Sequence, residues 1–133
     1  MRNFGITVIA ILAVAGGGCG AGAGAGASSD ELAELAAKAE AEFSARGEGS
    51  FVDTGYASYC RTGTGFDEGV FKQIGFAPSG DGFQYCYNVG SNLKKVALSA
   101  TAMRDGSVRC LIVDATSGEP SRGDITDQEP CVP

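Results

Sequence analysis

The sequence contains no histidine and no tryptophan, and it has few basic residues. Without histidine there is no imidazole to act as a general base or to ligate a metal, and no serine can have a histidine partner. Acidic residues outnumber basic ones by 16 to 10, and the longest basic run is Lys94-Lys95. A net charge of -6 argues against nucleic acid as a partner. We therefore predict a protein that is not an enzyme, with no catalytic residues, cofactor or metal, and no nucleic-acid partner.

The sequence also lacks an apolar run long enough to span a bilayer. Residues 4–15 are mainly apolar, whereas a spanning helix needs about 20 such residues. With Arg2 in front of it, this run has the length of a signal-peptide core. We therefore predict a signal peptide over residues 1–18 and export of the protein to the cell envelope.

Cys19 follows the apolar run directly behind the small residues Gly17 and Gly18. This arrangement is typical of a lipobox, in which signal peptidase cleaves before the cysteine and the new N terminus is acylated. We predict lipidation at Cys19, which would hold the protein in a membrane through several acyl chains. Gly16 stands where a lipobox usually has an aliphatic residue, so the alternative is an ordinary export signal with a free thiol. By resemblance to bacterial lipoproteins, Gly20 in place of aspartate implies the outer membrane.

The folded domain is predicted over residues 28–133. Residues 19–27 contain only glycine and alanine after the cysteine, which predicts a flexible tether. Ser28 and Glu31 have the spacing of a capping box, so a helix is expected to begin there. An apolar stripe with helical spacing follows, made of Leu32, Leu35, Ala36, Ala39 and Phe43.

Three later segments predict an antiparallel sheet. Residues 83–89 alternate strictly, with Phe83, Tyr85, Tyr87 and Val89 on one face. Residues 94–103 and 107–115 are strand-like and are separated by a turn. The stretch 47–82 is rich in glycine and has no long period, which predicts loops around short turns. The expected fold class is α+β, with the helix packed on a short sheet.

The turn between the last two strands contains Asp105-Gly106, a strong signal for a two-residue hairpin. That turn would place Leu98 opposite Val113 and Ala100 opposite Leu111. These residues would then form the core face of the sheet.

Four cysteines remain beyond Cys19, and four cysteines allow three connectivities. An exported domain of this size favours two disulfides. Cys86 and Cys110 would lie two strands apart, about 9 to 10 Å, which is beyond disulfide reach. We predict the pairs that are neighbours in sequence, Cys60 with Cys86 and Cys110 with Cys131.

Three phrases of the sequence resemble the type IV pilin and pseudopilin-like proteins. They are LAELAAKAEAEF (32–43), FKQIGFAPSGDGFQYCYNV (71–89) and ALSATAMRDGSVRCLIVDATSGEP (97–120). In such pilins a helix is followed by a short Gly-Phe phrase, an aromatic strand and a hairpin. The resemblance implies a pilin-like α+β domain, and the loop between Cys110 and Cys131 would correspond to the disulfide-bounded C-terminal region of many pilins.

Together these features predict a lipid-anchored envelope protein with a structural or interaction role. The resemblance implies partners among envelope, pilus or secretion proteins. The alternative is a stand-alone binding lipoprotein that recognises a ligand through the loops of residues 47–82.

Overall fold

The computed structural model of the protein describes residues 20–55 and 58–133, so the predicted signal peptide and Cys19 lie outside the described residues. The fold is α+β, as predicted: one main helix packs on a five-stranded antiparallel sheet. The strands lie side by side in chain order. No helix in the described part of the chain is both long and apolar enough to cross a membrane. The elements in chain order are α1 (Gly20–Arg46), β1 (Tyr59–Arg61), a 3-10 turn (Gly65–Asp67), α2 (Gly69–Ile74), β2 (Phe83–Val89), β3 (Lys95–Ala102), β4 (Val108–Asp114) and β5 (Ser121–Arg122).

The predicted apolar stripe of α1 forms one side of the core. All five of its residues are buried, and they face the inner side of the sheet, where Tyr85, Tyr87 and Leu98 are fully buried. Helix α1 ends at Arg46, and Gly47 follows with φ 64°, the left-handed conformation that favours glycine after a helix. The helical and alternating apolar patterns therefore identified the part of the core formed by α1 and the sheet, whereas residues 47–82, predicted as loops, contribute further buried residues.

The predicted helix start is wrong. Helix α1 begins at Gly20, so Ser28 is an interior residue of the helix and is buried. The capping box does not form, because the Glu31 carboxylate bonds to Ser79 and Tyr85 outside the helix. The first eight residues of α1 are the glycine and alanine repeat expected to act as a tether. Alanine is the strongest helix former, and it alternates there with glycine.

The predicted register between β3 and β4 is wrong by two residues. Leu98 lies opposite Leu111 rather than Val113, so Ala100 does not oppose Leu111. A shift of two keeps every side chain on its face, because side chains in a strand alternate with a period of two. Leu111 and Val113 therefore still lie on the core face, and Cys110 on the outer face.

The cause of this shift is a longer turn. The Ala102 N–H donates to Ser107 O at 2.8 Å, which leaves the four residues Met103–Gly106 to form the turn. The N–H of Gly106, with φ 75°, donates to Ala102 O at 2.8 Å. The Asp105 carboxylate accepts hydrogen bonds from both the N–H and the hydroxyl of Ser107. Asp-Gly thus terminates a four-residue turn here rather than forming a two-residue one.

The segment 47–82, predicted as loops, contains β1, the 3-10 turn and α2. At six residues, α2 is too short to show a helical period in the sequence. Tyr59 of β1 packs edge-on against Phe71 of α2, with ring centroids 5.6 Å apart. A Cβ at Gly69, where φ is 63°, would lie 1.9 Å from the Tyr59 hydroxyl oxygen, so the close approach of α2 to β1 requires glycine.

The C-terminal segment lies on the face of the sheet opposite α1. Thr126 exchanges two backbone hydrogen bonds of 2.8 Å with Cys110 at the edge of β4. The chain then turns back to Cys131, which is bonded to Cys110. Ala97 and Ser99 on this outer face are only 1% and 7% exposed. The segment therefore covers a part of the sheet that α1 does not reach.

Candidate functional site

The contacts of α1 define two ends of the domain. Early in the helix, Glu31 contacts Tyr85, which pairs with Ala100 of β3. Further along, Glu40 contacts Arg122 of β5, near the other end of the sheet. The start of β2, the end of β3 and the β3–β4 turn therefore lie toward the beginning of α1. We call this the proximal end, and the opposite end the distal end.

At the proximal end, Glu31 joins three elements through one carboxylate. The Tyr85 hydroxyl donates a hydrogen bond of 2.5 Å to Oε2. The N–H and the hydroxyl of Ser79 donate to Oε1 at 3.1 and 2.5 Å. Helix α1, the loop before β2 and β2 itself are thereby tied together.

The protonation states of this cluster follow from its contacts. Partial burial acts to raise the pKa of Glu31, but the hydrogen bonds from Ser79 and Tyr85 outweigh it and leave the pKa below its ordinary value. Burial, and then the hydrogen bond and charge of Glu31, raise the pKa of Tyr85. Glu31 is thus a carboxylate and Tyr85 a phenol that donates to it. With its hydrogen bonds made inside the protein, the carboxylate is suited to clamp the fold rather than to transfer protons.

The β3–β4 turn presents an exposed apolar side chain at the proximal end. Its Met103 side chain is 60% exposed, and among the described residues only Val132 is another large apolar side chain classed as exposed. The Met103 N–H donates to Gly82 O at 3.0 Å, which places the turn beside the loop that precedes β2. Arg104 and Asp105 follow, and both are exposed.

At the distal end, a groove of about 690 Å³ runs between the second half of α1 and residues 118–120. Most of its lining residues are glycine, alanine and serine, above Phe43. Glu40 lies on the helix wall and accepts two hydrogen bonds from Arg122, at 2.9 and 3.0 Å. The Arg122 guanidinium is therefore paired within the domain, at an exposed position.

A second depression, of about 430 Å³, lies within the glycine-rich segment 47–82. It lies against three buried phenylalanines, Phe66, Phe71 and Phe76, whose ring centroids are 5.0 to 5.9 Å apart. Lys72 is among the residues that line it. Asp67 also lines the depression, so it can accommodate a small apolar group beside one acidic and one basic side chain.

The structure pairs the four predicted disulfide cysteines as expected. Cys60 of β1 lies directly opposite Cys86 of β2, and Cys110 is bonded to Cys131 in the C-terminal segment. The first bond ties the edge strand to the sheet, and the second holds the end of the chain. Cys19, the predicted lipidation site, is outside the described residues.

The described residues offer no constellation for metal chemistry. Within residues 20–55 and 58–133, no group of three or more histidine, cysteine or acidic side chains is placed to hold a metal ion. Every buried side-chain nitrogen or oxygen in the same part of the chain has a hydrogen-bond partner. No buried polar atom there is left to be completed by a ligand.

Sequence reasoning missed the Glu31 cluster. Its members are 48 and 54 positions apart in the chain, and the capping-box pattern assigned Glu31 to a local contact. The alternation of residues 83–89 did place Tyr85 on the apolar face of the predicted strand. A buried tyrosine hydroxyl requires a partner, and that requirement was the available signal.

No family model, no curated protein and no solved structure matches this chain.

Proposed function

We propose that this protein is a non-enzymatic, lipid-anchored protein of the cell envelope, held in the outer membrane by acylation of Cys19. Its pilin-like domain serves a structural or interaction role, accessory to a pilus or a secretion apparatus. The proposal combines the signal-like residues 1–18, the resemblance over three phrases and the geometry of the described residues.

The observation that carries the proposal is the path of α1. The helix begins at Gly20, directly after Cys19, and its later part forms the core with the sheet. An anchor at Cys19 would therefore connect to the domain through about 12 Å of helix, the length of eight residues, rather than through a slack coil. A helix ahead of an antiparallel sheet is also what the pilin resemblance implies. The two disulfides support an oxidising compartment.

Intact mass and radiolabelled palmitate incorporation test the anchor. Wild-type protein is expected to take up label, to begin at Cys19 and to sediment with membranes, whereas Cys19→Ser is expected to take up none. Ser29→Ala, a change behind the cleavage site, serves as the matched control and should label like the wild type. An unlabelled wild type that begins near Ala27 would refute lipidation.

In vivo photo-crosslinking tests the partner class. Crosslinkers placed along the exposed face of α1, at Ala37 and Ala41, are expected to capture pilus or secretion components. Loss of surface pili or of secreted cargo on deletion of the protein would support the same role. If deletion changes neither, the accessory role is wrong.

A second candidate is a binding lipoprotein that uses the segment 47–82. The depression against Phe66, Phe71 and Phe76 favours it, because an apolar surface with few polar groups is typical of ligand sites. Binding of a defined peptide or glycan to the purified protein, lost in Gly75→Trp and retained in Gly118→Trp, would support this candidate. Both glycines have positive φ and open space around them, so the two substitutions carry comparable strain.

A further inference from the structure

The β3–β4 turn projects from the same end of the domain as the start of α1. Glu31 and Tyr85 lie at one level, and Tyr85 pairs with Ala100. From Ala100 the chain runs on to Arg104 at the tip of the turn, a reach of up to about 13 Å for four residues at strand spacing. From Glu31 back to Gly20 the helix extends about 16 Å. The turn and the first residue of α1 therefore both lie beyond the Glu31–Tyr85 contact, at the proximal end.

The chain before Gly20 determines what this end faces. Cys19 precedes Gly20 directly, so acyl chains on Cys19 would place a bilayer at the proximal end. As a helix, residues 20–31 span only about 16 Å, which keeps the domain close to the lipid. The exposed apolar residue of the proximal end, Met103, would then meet the same surface as the anchor.

We propose that the turn Met103–Gly106 docks on the bilayer that holds the anchor, with the Met103 side chain inserted between lipid headgroups. This inference rests on the proposed function, because the lipid on Cys19 provides the bilayer. Methionine is apolar and flexible, and a single such side chain fits a disordered interface. Next to it, Arg104 has hydrogen-bond donors of the kind that lipid phosphates accept.

Charge decides which lipid the surface fits. Asp105 lies in the turn and Asp81 in the neighbouring loop, so the positive charge of Arg104 is offset. The whole chain is also acidic. The partner is therefore a zwitterionic lipid surface, to which the turn binds by apolar insertion rather than by attraction to anionic headgroups.

A contact this small is sufficient because it is not required to recruit the protein. The acyl anchor already holds the turn at a high effective concentration near the membrane, and a weak second contact then fixes the orientation of the domain. The distal groove and the segment 118–120 would face away from the lipid, where partners can reach them.

Tryptophan fluorescence tests the docking, because the natural chain contains no tryptophan and each variant carries a single reporter. Met103→Trp and Val132→Trp are prepared as full-length lipidated proteins and reconstituted in phosphatidylcholine vesicles with and without brominated acyl chains. Val132 is the matched control: it is also an exposed apolar residue, and it lines a distal pocket with Gly90 at the β2–β3 turn. Arg104→Trp provides a second reporter in case the Met103 variant fails to fold.

The expected result is a blue-shifted emission for Met103→Trp and quenching by brominated lipid several-fold stronger than for Val132→Trp. Equal quenching of the two reporters in protein that floats with the vesicles would overturn the docking and leave the anchor intact. Protein that does not float with the vesicles would overturn the anchor, and the docking with it.

Discussion

Replacement of Glu31 should loosen the proximal end of the domain. The carboxylate accepts three hydrogen bonds, and one donor, Tyr85, belongs to a residue with 0% exposure. Glu31→Ala leaves the Tyr85 hydroxyl without its partner, which costs about 1 to 3 kcal/mol for a buried polar group. The Ser79 contacts are exposed and add little. We therefore expect a loss of about 2 kcal/mol in the free energy of unfolding, which lowers the Tm of a domain this size by roughly 10 °C.

A double-mutant cycle separates the hydrogen bond from other effects. Tyr85→Phe and Glu31→Ala should couple by about 1 kcal/mol, because each removes the same contact. Glu34→Gln is the matched control on an exposed position of the same helix, and a surface change of this kind is expected within about 0.5 kcal/mol. The measurement is guanidinium unfolding followed by circular dichroism in the Cys19→Ser background. If Glu31→Ala is no less stable than Glu34→Gln, the hydrogen bonds of Glu31 do not stabilise the domain.

The same contact predicts a pH dependence. The folded pKa of Glu31 is below that of the unfolded chain, so the folded state binds its proton less readily. The stabilisation is then complete above the unfolded pKa of about 4.3 and is lost as the pH falls through the folded value. Wild-type protein should lose this contribution in acid, whereas Glu31→Gln should not. An identical acid dependence of the two proteins would contradict the assignment.

Two further predictions concern the edge strand and the C-terminal segment. Gly69→Ala should lower the free energy of unfolding by about 2 kcal/mol or more, because the new methyl group meets Tyr59 and the positive φ adds strain. Gly63→Ala is the control, because Gly63 has a similar φ but open space around it, and it should lose only the strain of about 1 to 2 kcal/mol. Equal shifts in the Tm of the two variants would refute the clash. Replacement of Cys110 and Cys131 together by serine should lower the free energy of unfolding by about 3 kcal/mol, because the unfolded chain gains entropy. Denaturation of the oxidised wild type and of the variant measures this loss. An unchanged midpoint would show that the C-terminal segment does not depend on its disulfide.

The sequence predicted those parts of the fold that depend on a repeating pattern. The stripe of α1 and the alternation of β2 were correct because burial imposes one period along a whole element. The pattern failed where a single local feature decided the outcome. Asp105-Gly106 matched a two-residue turn, yet the Asp105 carboxylate bonds to Ser107 and lengthens the turn. The predicted register between β3 and β4 was wrong by two residues, an even number, so each side chain stayed on its predicted face of the sheet.

The candidate site was less predictable for a different reason. The contacts of Glu31 with Ser79 and Tyr85 depend on the packing of α1 against β2, which no local window contains. The start of α1 could not be predicted from a local window of sequence either. Ser28 looks like a cap in isolation, but the residues before it continue the helix.

The Cys110–Cys131 disulfide follows from the architecture itself. A single helix can cover only one face of a sheet, and in a domain of about 100 residues no second layer remains for the other. Here the C-terminal segment takes that role over Ala97 and Ser99, two buried residues that lie on the outer side of the sheet. The backbone hydrogen bonds of Thr126 and the covalent bond to Cys110 together hold this segment in place. A domain built in this way depends on oxidising conditions for the cover of its second face.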